Sequence, residues 1–109
     1  MKTLTLSLKK QWFDMIKSGI KKEEYREIKP FYTVRLTIQA SDDYDLILSG
    51  EISAIFQYFD RLVFTLGYQK ADDTERRLTF KNPKIRIGTG KPEWGAEPGK
   101  LYFVISWSE

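Results

Sequence analysis

Leu101-Tyr102-Phe103-Val104-Ile105-Ser106-Trp107 is apolar on both sides of an extended chain: Leu101, Phe103, Ile105 and Trp107 fall on one side, Tyr102 and Val104 on the other. A strand with one wet face would alternate apolar and polar residues instead. The stretch therefore predicts a strand inside a sheet, flanked on both edges, and the rest of the chain has to supply its neighbours. Immediately before it, Gly88 to Lys100 holds four glycines and two prolines around Trp94. Each of those residues imposes particular backbone angles, so the segment reads as a structured loop.

Further back the pattern stays β. Leu62, Phe64, Leu66 and Tyr68 alternate, Gln69 to Asp73 form a polar connection, and Leu78 and Phe80 then Ile85 and Ile87 follow with period two. The amino end begins the same way, with Leu4, Leu6 and Leu8 on one face and Thr3, Thr5 and Ser7 on the other. The period then changes. Trp12, Met15 and Ile16 fall at helical spacing and Gly19 is a natural stop, which predicts a short helix over about 9–18 with Trp12 in the core. Residues 22–28 are polar and lead into Lys29-Pro30, where the residue before proline favours extended geometry.

Residues 30–58 admit two readings. Tyr32, Val34, Leu36 and Ile38 alternate as in a strand, whereas Pro30 followed by Phe31, Val34 and Ile38 would open an amphipathic helix. Ser41-Asp42-Asp43 resembles a helix cap before Leu46, Ile47 and Leu48, and the acidic composition of 40–58 suggests a surface excursion. Five or six short strands with one or two helices in 109 residues predict a mainly β (α+β) fold: a small, partly closed β-barrel with helices packed on its rim, in a single domain over 1–109.

Composition bounds the chemistry. The chain contains no cysteine and no histidine, which removes disulfides, thiolate and imidazole metal ligands, and every dyad or triad with a histidine base. No metal and no cofactor are expected. The net charge of +3 is unevenly spread: +4 over residues 1–30, −4 over 31–60 and +3 over 61–109. Two basic ends around an acidic middle can present a positive face to phosphates, and an ordinary mixed surface is the plain alternative. Arg76, Arg77, Lys81, Lys84 and Arg86 form a basic run on the same terms. The longest apolar run, Leu101 to Ile105, is far below the roughly 20 residues of a membrane span. A cytoplasmic protein, with a monomer as the expected state, fits this reading.

Residues 19–26 read Gly-Ile-Lys-Lys-Glu-Glu-Tyr-Arg. Gly19 ends the helix, Lys21 lies in the tight connection, and Glu24 and Arg26, two apart on an extended segment, project from one face. Arg26 can hold a carboxylate or phosphate bidentately, and Lys21 can act as a point charge or, if desolvated, as a base. The bland alternative is a solvated edge strand in which Glu24 and Arg26 pair with each other. Tyr25 and Trp94 are candidates for stacking on a base, although Trp94 can equally anchor its loop. Gly88-Thr89-Gly90-Lys91 lacks the spacing of a nucleotide phosphate loop.

Gly19-x-Lys21-x-x-Glu24-x-Arg26, directly after a strand and a short helix, resembles the GxKxxExR signature of the activating-signal-cointegrator homology (ASCH) superfamily, whose fold is related to the RNA-binding PUA domain. Phe59-Asp60, Gly67-Tyr68, the run Gly88 to Lys100 and Tyr102 to Ile105 are similar to small bacterial and phage-associated members. The resemblance implies a PUA-like barrel, a helix at 30–39, and a cleft for RNA or a nucleotide-like ligand lined by Gly19, Lys21, Glu24, Tyr25, Arg26 and Trp94. It also implies an alternative, hydrolysis of an N4-acylated cytidine or of RNA with Lys21 and Glu24 as catalytic groups. Here the chain departs from the acylcytidine hydrolases it is similar to, which carry a threonine where Glu24 stands; Glu24 would instead orient a water while Lys21 stabilises the oxyanion. A protein-interaction role through the acidic excursion is the third reading.

Overall fold

The computed structural model of the chain describes residues 2–38, 56–67 and 76–108. In chain order the elements are β1 (Thr3–Leu8), α1 (Lys10–Lys17), β2 (Glu24–Glu27), α2 (Pro30–Leu36), β3 (Arg61–Leu66), β4 (Arg77–Thr89) and β5 (Leu101–Ser108), with a 3-10 turn at Pro92–Trp94. The strands form one hydrogen-bonded sheet in the order β1-β3-β4-β5-β2. The fold is mainly β with two short helices, the class expected of a small PUA-like domain. As expected of a central strand, β5 has a strand on each side.

By internal contacts the described chain divides into two compact units that interleave in sequence. Among the described residues, one comprises 2–23, 58–67, 76–84 and 106–108; the other comprises 24–38, 56–57 and 85–105. Strands β4 and β5 run through both. The expected strands around Leu78 and Ile87 are therefore one continuous strand, with Asn82 in the left-handed region (φ 52°) followed by Pro83, which lacks a ladder donor.

In the first unit, β1 pairs in parallel with β3, and β3 antiparallel with β4. The registers Leu4↔Leu62↔Phe80 and Leu6↔Phe64↔Leu78 bring the apolar positions of three strands onto one face. Their alternation with Thr3, Thr5, Ser7, Thr79 and Lys81 sends the polar set to the opposite face. Phe13 and Ile16 of α1 are buried with this core, and Phe64, Phe80 and Trp107 form a cluster of ring contacts with centroids 5.1–6.1 Å apart. Trp12 departs from expectation: it is half-buried, and Phe13, not singled out by the spacing, takes the core position.

In the second unit, β2 pairs antiparallel with β5 over Glu24↔Ile105 to Glu27↔Tyr102. Pro30 opens α2 at its first turn, and Thr33 and Leu36 are its buried face, so the helical reading of 30–39 holds through Leu36. Ile28, Leu36, Tyr102, Phe103, Val104 and Ile105 are buried here. The cap at 41–43, the apolar run 46–48, the acidic excursion up to residue 55, Tyr68 and the connection 69–73 lie outside the described residues.

Candidate functional site

The signature begins in the end of α1. Gly19 stands at φ +85°, its N–H donates to the Ile16 carbonyl, and the N–H of Ile20 reaches back to the Met15 carbonyl. These two bonds are the 5→2 and 6→1 pair of a Schellman motif, which requires a left-handed residue at Gly19. The N–H of Lys21 also donates to the Met15 carbonyl at 3.0 Å. The helix terminus thereby fixes the backbone of Lys21, and Gly19 has a conformational reason to be glycine before any ligand is considered.

Lys21 is 1% exposed. Its Nζ lies 4.4 Å from the centroid of the Trp12 ring, a cation–π arrangement between the connector and the first turn of α1. The ring half-exposed on the helix is thus the wall beside the signature ammonium. The spacing that marked Trp12 as a core residue carried no sign of this. Gly19 and Lys22 line a cavity of about 400 Å³ with Ile16, Lys17, Ser18 and the β4 residues Leu78, Thr79 and Phe80. Two lysines and several apolar side chains at its wall give it an amphipathic, cationic lining.

On β2, in the second unit, the Arg26 Nη2–H donates to Glu24 Oε2 at 2.7 Å. The two side chains are 14% and 7% exposed, so the pair is buried and not the solvated edge pair that sequence spacing also allowed. Nη1–H of Arg26 donates to the Tyr32 hydroxyl at 3.0 Å, and the guanidinium carbon stands 5.6 Å from the Tyr32 ring centroid. Tyr32 was no candidate in the sequence; it enters the site because Pro30 starts a helix there, which turns a residue of its first turn toward β2. Breaking such a buried pair by removing one partner costs about 3–5 kcal/mol, because the other charge is left uncompensated.

Tyr25 and Trp94 belong to the same unit. A Cβ at Gly90 would lie 2.6 Å from the Tyr25 ring and 2.7 Å from Ala96 Cβ, so only glycine lets the loop backbone approach so closely. The Lys91 N–H donates to the Tyr25 hydroxyl at 3.0 Å, and the Glu97 N–H donates to the Tyr102 hydroxyl at 2.9 Å. Two phenol oxygens thus clip the glycine- and proline-rich loop at both ends. Between the clips, Trp94 is half-buried and Lys91 Nζ stands 4.4 Å over its ring. At the foot of the loop, Lys100 reaches Glu27 at 3.3 Å, with Lys29 at 3.2 Å on the same carboxylate oxygen. Hydrogen bonds from Lys29 and then Lys100 hold the Glu27 carboxyl below its usual range, and Glu27 raises the Lys100 ammonium.

The site residues fall into three groups: Lys21 with Trp12, Glu24 with Arg26 and Tyr32, and Tyr25 with the loop that carries Trp94. Among the described residues no helix is long and apolar enough to cross a membrane. No curated protein and no solved structure matches the chain. The ASCH domain matches it over residues 6–93, a span that contains the whole Gly19–Arg26 signature and the first part of the loop before β5. The chain belongs to the ASCH domain family.

Proposed function

We propose that this protein binds RNA or a nucleotide-like ligand through its signature segment, with Lys21 and Arg26 as the cationic contacts and Glu24 as the group that orients Arg26. The observation that carries the reading is the burial of Lys21 at 1% exposure. An ammonium withdrawn from water costs several kcal/mol of hydration even where the protein compensates the charge. A methionine or leucine would fill the same volume at no such cost. A cation kept there, in the connector that a Schellman motif holds rigid, supports a role in recognising an anion or a polar base edge.

The test is calorimetric titration of the protein with a short single-stranded RNA, cytidine monophosphate and N4-acetylcytidine, repeated with Lys21→Met. Binding of one of these ligands by the wild type and its weakening by at least about tenfold in the variant, with thermal stability kept, is the expected result. Equal affinity in both proteins removes the reading.

Hydrolysis is the second reading, and the bond that fixes Glu24 favours it. A carboxylate held by Arg26 at 2.7 Å has a set orientation, as a group that takes a proton from an attacking water must have. Water would add to the acyl carbonyl, Lys21 would stabilise the oxyanion, and cytidine would leave with the proton returned from Glu24. Release of cytidine from N4-acetylcytidine, abolished by Glu24→Gln, supports it; no release at stoichiometric enzyme rules out this substrate.

A further inference from the structure

The face of the β1-β3-β4 sheet opposite the apolar core is a grid of cations and hydroxyls. Register places Thr3, Arg61 and Lys81 in one row, Thr5, Val63 and Thr79 in the next, and Ser7, Thr65 and Arg77 in the third. Arg61, Lys81, Thr5, Ser7 and Thr79 are exposed, and Val63, the one apolar member, is buried. None of these nine residues is acidic. The nearest carboxylate in sequence is Asp60, whose Oδ2 accepts the Lys2 N–H at 2.7 Å.

Two features point beyond a solvated face. Arg61 and Lys81 are direct cross-strand partners, and like charges directly opposite each other destabilise an antiparallel pair. The Arg61 Nε–H and Nη2–H both donate to Thr3 Oγ1, at 3.3 and 3.2 Å, which holds the guanidinium across β1. A sheet that keeps this repulsion and fixes one of the two cations is arranged for an anion. Arg77 lies four residues from Lys81 on the same strand, about 13 Å away, with hydroxyls between the two charges. Two cationic stations at that separation suit a polymer with repeated phosphates and are too far apart for one phosphate group. Serine and threonine hydroxyls are also ordinary donors to phosphate and sugar oxygens.

We infer that this face binds the phosphodiester backbone of a single RNA strand, as a surface additional to the signature segment. Sequence-independent contacts of this kind fix register and contribute salt-dependent affinity. The inference does not depend on what the signature residues recognise.

The experiment is fluorescence anisotropy of a labelled 12-nucleotide single-stranded RNA against the full chain at 50, 100 and 200 mM salt. The wild type is compared with Lys81→Glu and with Thr5→Asp, each also in the Lys21→Met background. Lys81→Glu converts the repulsive pair into an attractive one, so its melting temperature is expected to hold or rise while RNA affinity falls about tenfold at 50 mM salt. The slope of log affinity against log salt should shrink by about 0.7 for each phosphate that the protein no longer neutralises. Thr5→Asp, an exposed change in the next row, should weaken binding in the same direction. Both effects should persist when Lys21 is methionine, which separates this face from the signature reading. Unchanged affinity and slope in either variant overturns the inference. So does a wild type that does not bind the RNA at 50 mM salt, or one that binds vesicles of phosphatidylcholine with 30% phosphatidylserine through Lys81 in place of RNA.

Discussion

The Lys21 ammonium stands 4.4 Å from the centre of the Trp12 ring, and both residues belong to the first compact unit. The backbone bonds of Ile20 and Lys21 to the Met15 carbonyl place the lysine, and one turn of helix places the ring. Replacing the buried charge by an apolar side chain of similar length removes a desolvation cost. Lys21→Met trades that cost against the ammonium's contacts, so its stability in urea unfolding should stay within about 2 kcal/mol of the wild type. Trp12→Leu should lose stability in the wild type, and a double-mutant cycle with Lys21→Met should return a coupling of about 0.5–2 kcal/mol. A marked loss of stability in Lys21→Met would identify the ammonium as structural and not functional.

Glu24 and Arg26 compensate each other directly, through the 2.7 Å hydrogen bond that joins them. Arg26→Ala should cost about 3–5 kcal/mol, since it takes the guanidinium from a carboxylate at 7% side-chain exposure. The paired change Glu24→Gln with Arg26→Gln should cost clearly less than Arg26→Ala. Tyr32→Phe removes one acceptor from the guanidinium and should cost about 1–3 kcal/mol. Denaturant midpoints of the four proteins decide this; equal losses for the single and paired changes would contradict a mutually compensated pair.

Where the sequence was legible and where it was not follows from the range of the interactions. The alternation of Leu4, Leu6 and Leu8, the doubly apolar run from Leu101, and the glycine after α1 are local signals, and each marked its element. Glu24 and Arg26 share a face because a strand has period two, so their pairing could be read from spacing while its burial could not. The parallel pairing of β1 with β3 joins residues 58 apart through no turn, and nothing local encodes it. Trp12 and Tyr32 became neighbours of signature residues through tertiary placement, which hydrophobic periodicity does not report. The basic run on β4 was visible as charge, but only the register with Arg61 sorted it into a face.

The loop before β5 yields a sharper test of Tyr25. Its ring fills the space beside Gly90, and its hydroxyl accepts the Lys91 N–H at 3.0 Å. Gly90→Ala places a methyl group 2.6 Å from that ring and 2.7 Å from Ala96 Cβ, so the loop must move off β2. The expected loss is about 1–3 kcal/mol, as for other overpacked sites. Tyr25→Phe keeps the packing and removes the acceptor, for a smaller loss of about 1 kcal/mol. Amide exchange at Lys91 should accelerate in both variants. If Tyr25→Phe leaves that amide protected while abolishing ligand binding, the hydroxyl serves the ligand and not the loop.

Glu27, Lys29 and Lys100 make the fold sensitive to pH in a defined window. The Glu27 carboxyl is held below its ordinary value of 4.5, first by the hydrogen bond from Lys29 and then by that from Lys100. A lowered carboxyl contributes stability above its unfolded value and loses it as pH falls through the lower, folded one. Lys100 is raised above 10.5 by Glu27, so its share is present below that value and is lost as pH climbs through the raised one. The cluster therefore stabilises the fold between about pH 5 and pH 10. Glu27 is 45% exposed and the ion pairs are wet, so the effect is small and salt-screened. Glu27→Gln should lower the melting temperature slightly at pH 7, and the gap to the wild type should narrow towards pH 3 and in 0.5 M salt. A gap that does not narrow at all as pH falls through the lowered carboxyl range would show that the glutamine disturbs packing at the foot of the loop.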